Sequence, residues 1–150
     1  MARSALLLTL SIAALSIGCA TSQNVRLAQQ TGGQPVTTFA LVPSEGNSAA
    51  MDTAIAAAFA GQGLTSKAAL PAGTSSSADV DAIVSYTDQW RWDIVMYLRS
   101  VTISMYDGRS GNLIADARWD NSAFHGFQDY KVVVRGLVDE MVAKVKARSR

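Results

Sequence analysis

Few side chains in this 150-residue chain are equipped for chemistry, and they are scattered. It holds one cysteine, Cys19, and one histidine, His125. One thiol forms no intrachain disulfide. A lone imidazole without a second His or a Cys beside it gives a metal ion little to build on, so no metal site and no cofactor are expected. His125 reads as a loop residue ahead of the last helix. Serines are plentiful, but no nucleophile-elbow pattern surrounds one, which leaves a Ser-His-Asp triad unsupported. Asp79 with Asp81, or Asp116 with Asp120, could be imagined as acid and base. That work needs a carboxyl raised in pKa by burial or a neighbouring charge, whereas these fall at strand ends and on polar faces. The stretch GTSSS (73–77) lacks the lysine and the spacing of a phosphate loop. No catalytic residue is assigned.

The remaining candidates are aromatic. In QWRW (89–92), Trp90 and Trp92 fall on one face of a strand, with Arg91 on the other and Tyr86 sharing the tryptophan face. Aromatic side chains at this spacing can stack on a ring or sugar, or anchor a protein partner. Tyr86, Trp90 and Trp92 are therefore the candidate binding residues; the alternative is that they simply pack in the core. Asp88 interrupts the apolar set Ala82, Val84, Tyr86, Trp90, Trp92. A bulge near it would re-aim the tryptophans, and Trp92, at the strand's end, is expected to be the more accessible of the two.

Several elements must position these residues. VTTFALVP (36–43) is rich in β-branched and aromatic residues and reads as a strand stopped by Pro43. Met51, Ile55 and Phe59 recur every four residues in an alanine-rich helix, capped by Asn47 or Ser48 and closed by Gly61 and Gly63. PAGTSSSADV (71–80) is a loop. Two strands follow, 81–92 and 93–107, the second alternating Val101, Ile103 and Met105 with Ser100, Thr102 and Ser104. DGRSGN (107–112) is a tight turn into the strand LIADARWD (113–120), with Leu113, Ala115, Ala117 and Trp119 inward. Val134, Leu137, Val138, Met141 and Val145 then make the stripe of a closing amphipathic helix. Its basic end, Lys144 to Arg150, reads as a solvated terminus, with contact to anionic lipid as the alternative. The order β-α-β-β-β-α implies an α+β two-layer sandwich. Its mostly antiparallel sheet of about four strands carries two helices on one face.

The composition suits a folded domain: 49% of residues are apolar and 7% aromatic. Of 13 basic residues only Arg3 precedes Cys19, which leaves 12 against 12 acidic residues in the remainder. A neutral body argues against nucleic acid as a partner. At the N-terminus, Arg3 is followed by ALLLTLSIAALSIG, an apolar run of 14 residues, too short to span a bilayer but suited to an export signal.

LSIGCA, ending that run, is similar to the lipobox of bacterial lipoproteins, with Ile17 and Gly18 before the cysteine and Ser16 where Leu is usual. The resemblance implies a signal peptide over 1–18 and a diacylglyceryl group on the sulfur of Cys19. It also implies an acylated amino group there, and residence in the outer membrane facing the periplasm, since Ala20 rather than Asp follows. Two or three acyl chains hold a protein firmly where one does not. The alternative is an ordinary secretory signal cleaved after Ala20, giving a soluble periplasmic protein. Residues 19–35 then read as the lipidated cysteine and a flexible tether, and 36–150 as the periplasmic domain.

TFALVP, the small-residue helix ending in GQGL, ADVDAIVSY, YDGRSGNLIADARW and the closing helix together resemble a family of small bacterial lipoproteins, domain of unknown function 4136. The likeness spans roughly residues 36–146, Trp119 fits a tryptophan common in the family's strand after the hairpin, and the family offers no catalytic residues to carry over. The expected function is a non-enzymatic, lipid-anchored envelope protein acting through contacts with another envelope protein. The alternative is a small-molecule or glycan-binding module that uses the aromatic strip; an envelope hydrolase lacks a convergent catalytic set.

Overall fold

The computed structural model describes residues 21–29, 34–122 and 126–149. The expected signal peptide, Cys19 and His125 lie outside them. In chain order the elements are β1 (Ser22–Leu27), β2 (Thr38–Leu41), α1 (Ala49–Gly61), β3 (Thr65–Ser66), β4 (Ala82–Trp92), β5 (Met96–Asp107), β6 (Leu113–Asp120) and α2 (Tyr130–Arg148). They form one sheet in the order β1-β6-β5-β4-β2-β3 with both helices packed on it, an α+β fold.

Three strands form as the alternation predicts. β4, β5 and β6 are an antiparallel meander, and Val84, Tyr86, Val101, Ile103, Met105, Ala115, Ala117 and Trp119 are buried under the helices. α1 begins at Ser48, whose Oγ accepts from the Met51 N–H at 3.3 Å, and buries Met51, Ile55 and Phe59 completely. Gly63, at φ +84°, turns the chain away beyond its end. On α2, all five residues of the anticipated stripe are buried, together with Val133 and Val142.

The sheet is mostly antiparallel, as expected, but it has six strands where about four were expected, and two of its five pairings are parallel. α1 is a crossover helix between β2 and β3, and such a connection delivers a parallel pair; β2 also runs parallel to β4. The second correction concerns the tether expected over 19–35. Ser22–Leu27 is instead an edge strand, paired along its whole length with β6 from Ser22–Asp120 to Leu27–Ala115. Only Val25 is buried there, so its own apolar pattern is slight and the strand is recruited by the open edge of β6.

Two register shifts re-aim side chains. Met105 pairs with Ala115 but Tyr106 pairs with Leu113, so Ile114 is the extra residue. It is buried in the main core, while Leu113, expected inward, is half-buried. The other shift places Gln89 opposite Ser100 and Trp90 opposite Leu98, which makes Arg99 the extra residue. A bulge does lie beside Asp88, but on the partner strand.

On the far face of the sheet, Ala40, Val42, Val80 and Ile83 form a smaller cluster, with Leu70 and Tyr106 packed against it. The hairpin turn at 107–112 is tied to the preceding loop, since the Ser77 N–H donates to the Gly108 carbonyl at 2.6 Å. A Cβ on Gly108 would meet the Val80 carbonyl oxygen at 1.9 Å. Glycine is needed there for close approach, whereas Gly111, at φ +70°, is needed for its backbone conformation.

Candidate functional site

Both helices begin at the same end of the molecule, where β4 runs on toward its turn with β5. Tyr86, Asp88 and Trp90 share the helix-facing side of β4 there, and each is met by a group from a helix start or its cap. The Tyr86 hydroxyl donates to Asp52 Oδ1 at 2.6 Å, with the Ser48 carbonyl oxygen 3.2 Å away. Burial first, then the hydrogen bond to Asp52 and the charges of Asp52 and Asp88, push the Tyr86 phenol well above its ordinary pKa. It stays neutral, a donor and not a base.

Trp90 Nε1 donates to Asp88 Oδ2 at 2.5 Å, and Ser48 Oγ approaches the same oxygen at 3.5 Å. Asp88 Oδ1 is buried and has no hydrogen-bond partner. The indole of Trp90 meets the Tyr130 ring edge-on at a centroid distance of 5.5 Å, which seats it between β4 and the first turn of α2. These carboxylates and aromatic groups bond each other. Their arrangement positions the helix starts on the sheet and leaves little reach to bind a third party.

The three candidate residues therefore separate. Tyr86 is 3% exposed and Trp90 is half-buried against the core, so neither offers a face for stacking a ligand. Trp92 is 71% exposed. Its parity still points to the helix side, but α2 starts at Tyr130, level with Trp90, and the strand outruns its cover. Trp92 is more accessible than Trp90, as anticipated; the reason is the length of the helix layer and not an outward turn at the bulge.

Sequence reasoning missed two features of this end. Asn121, 3% exposed, donates through Nδ2 to the Leu98 and Gly126 carbonyls at 3.3 and 3.4 Å, and Arg99 Nη1 donates to the Asn121 carbonyl. This ties the bulge to the chain leading into α2; an isolated Asn after a strand gave no signal for it. The other is the apolar tip beyond Trp92, where Ile94, Val95 and Met96 are 78%, 46% and 54% exposed. DIVM had read as the start of a strand, whereas residues 93–95 form the turn, and β5 begins at Met96.

Three of the four carboxylates considered for acid–base work are occupied elsewhere. Asp81 Oδ2 accepts from the N–H and the hydroxyl of both Thr37 and Thr38 at 2.7–3.0 Å, pinning β2 to β4. Asp116 pairs with Arg26 at 3.1 Å and Asp120 with Arg118 at 2.6 Å. Among the described residues, no cluster of His, Cys, Asp and Glu is arranged to hold a metal ion. A groove of about 380 Å³ runs between the helices over Ala50, Thr53, Ala54 and Ala57, rimmed by Lys131 and Arg135. A cleft of about 320 Å³ at the opposite end is lined by Val36, Leu64, Met105, Val142 and Val145. Neither brings a carboxylate into its wall.

No model of a known protein family matches the chain, and no curated protein matches it. Among solved structures it resembles the PelC dodecamer from Paraburkholderia phytofirmans in two crystals. A point variant in space group C2 aligns with TM-score 0.53 and 16% identity over 88% of this chain and 99% of that one. The space group P6 crystal aligns with TM-score 0.52 and 14% identity over 87% and 99%. A PDZ domain protein from Parabacteroides distasonis aligns at 0.49 with 13% identity over 83% of this chain and 36% of that one. At these identities the likeness to PelC is one of fold.

Proposed function

We propose that this is a lipid-anchored cell-envelope protein, held through Cys19 in the outer membrane and facing the periplasm, whose α+β domain acts without catalysis through protein contacts. The observation that carries the reading is the state of the candidate site. Its phenol and indole are bonded to the Asp52 and Asp88 carboxylates and are not free to act on a substrate. Asp81 and Asp107 do line a small cavity of about 100 Å³ with Arg109, but hydrogen bonds hold both carboxyls below their ordinary pKa, whereas a general acid needs one raised. LSIGCA supports the anchor, and the short step from Cys19 to the first strand at Ser22 supports a domain held near its membrane.

The PelC structures are of a dodecamer, and a shared fold makes further copies of this chain one candidate among the protein partners. A glycan-binding reading would rest on Trp92 alone.

The test is direct. Fatty-acid probe labelling and membrane fractionation of wild type and Cys19→Ala should show label and membrane retention lost together. A mature protein starting after Ala20 with no lipid mass would overturn the anchor. Native mass spectrometry of the mature chain, in detergent, reads its assembly state.

A further inference from the structure

We propose that the tip of the β4–β5 hairpin docks into the lipid surface that holds the anchor, making a second, apolar attachment. This rests on the lipid-anchor reading above and adds to it a surface and an orientation. Four of the exposed large apolar side chains, Trp92, Ile94, Val95 and Met96, lie within five consecutive residues, with Asp93 alone between them. Single exposed apolar residues are ordinary; a contiguous group on a projecting tip is not. The fold does not require them, because the helix layer ends at Trp90 and Tyr130.

Position selects lipid as the occupant. The register places Ser22, Asp120, Ser100 and Gln89 in one row across four neighbouring strands. β1 enters the sheet at this row from its N-terminal side, and the hairpin leaves the row in the same direction. Cys19 is three residues before Ser22, and Trp92 is three residues beyond Gln89. At about 3.3 Å per residue each reaches at most about 10 Å past the row, and three strand spacings separate them laterally by about 14 Å. An acylated Cys19 thus brings the bilayer to the level the tip already occupies. A protein partner or a second copy would have to fit into that same gap.

The chemistry suits shallow insertion. Trp92 stands at the base of the tip, where an indole fits the headgroup level, with Ile94 and Val95 at the turn beyond it. The charges closest in sequence, Arg91 and Asp93, are of opposite sign and offset each other, so the tip itself attaches through its apolar groups. The turn's backbone groups limit the depth, since those not paired within the turn need headgroups or water; the Asp93 N–H donates to Val95 O at 3.2 Å. With two attachments the strands stand along the membrane normal, whereas a lipid alone would leave the domain free to tumble.

The test replaces the natural anchor so that it does not depend on acylation. The mature chain carrying Cys19→Ala and an N-terminal hexahistidine tag is held on phosphatidylcholine–phosphatidylglycerol vesicles by a nickel-chelating lipid. Ile94→Cys, or Arg109→Cys in the turn at the opposite end, carries a nitrobenzoxadiazole probe. The expected result is blue-shifted emission at position 94 and quenching by chain-brominated lipid several-fold above that at position 109. Equal quenching at the two positions overturns the proposal. Shielding at position 94 that appears without vesicles, with a doubled mass, assigns the tip to a second copy and also overturns it. Intact mass of the native protein decides acylation separately, so either reading can fall while the other stands.

Discussion

Asp81 precedes β4 by one residue, and one of its oxygens accepts four hydrogen bonds from Thr37 and Thr38. The Thr37 hydroxyl is the largest influence, and burial opposes it; the outcome holds the carboxyl at about 2, below its ordinary 3.8. Because the folded-state value is the lower one, the stabilisation is fully present above 3.8 and is lost as pH falls from there through about 2. A difference of this size corresponds to at most about 2 kcal/mol, and partial exposure reduces it. Asp81→Asn should therefore lower the urea midpoint at pH 7 and flatten the loss of stability between pH 4 and pH 2. Asp107 keeps part of that acid dependence, since hydrogen bonds from Ser110, the backbone N–H first, also depress its carboxyl. An unchanged midpoint at neutral pH would mean that the Thr37–Thr38 clamp contributes nothing.

The closing helix is the element whose role was most legible in advance. Leu137 is fully buried at the middle of its stripe, and replacing a buried leucine with alanine costs about 2–5 kcal/mol. Leu137→Ala should lower the melting temperature plainly, and a curve superimposable on wild type would show α2 undocked. The meander strands were equally legible, because a two-residue period marks a sheet covered on one side. β1 was not: SQNVRL buries one residue, and its pairing is dictated by the edge of β6 rather than by its own pattern. β3 has two residues, too few for any periodicity. The aromatic strip was read correctly for face but not for extent, since no local pattern in β4 announces where α2 begins. That boundary yields a prediction. In single-tryptophan variants, acrylamide should quench Trp92 strongly and Trp90 weakly, because Trp90 is held against Tyr130 and bonded to Asp88. Equal quenching would place the edge of the helix layer elsewhere.

Taken whole, the molecule has two chemically different ends. Ser22, the helix starts and the apolar hairpin tip lie at one; the helix ends, the 107–112 turn and the C-terminal basic residues of α2, Lys144, Lys146 and Arg148, lie at the other. Those basic residues are bound to the fold. Lys146 Nζ donates to the Gln62 carbonyl at 2.9 Å, and Arg148 Nη1 and Nη2 donate to the Ala28 and Ile114 carbonyls at 2.7 and 3.4 Å. Arg148 thereby fastens the outgoing end of β1 to β6, and both cations suit the negative end of the helix dipole. This arrangement sets the contact of Lys144–Arg150 with anionic lipid against an anchor at the opposite end. With Cys19 acylated, the basic end would point into the periplasm. Lys146→Ala combined with Arg148→Ala should then leave the membrane-bound fraction unchanged at any salt concentration. The same pair should cost stability, about 1–2 kcal/mol for the lost hydrogen bonds, read as a lower urea midpoint. Hydrogen exchange should quicken first at Leu27 and Ala28, where Arg148 holds the strand. Release of the double variant from membranes at unchanged stability would show that the basic end, and not the hairpin end, faces the lipid.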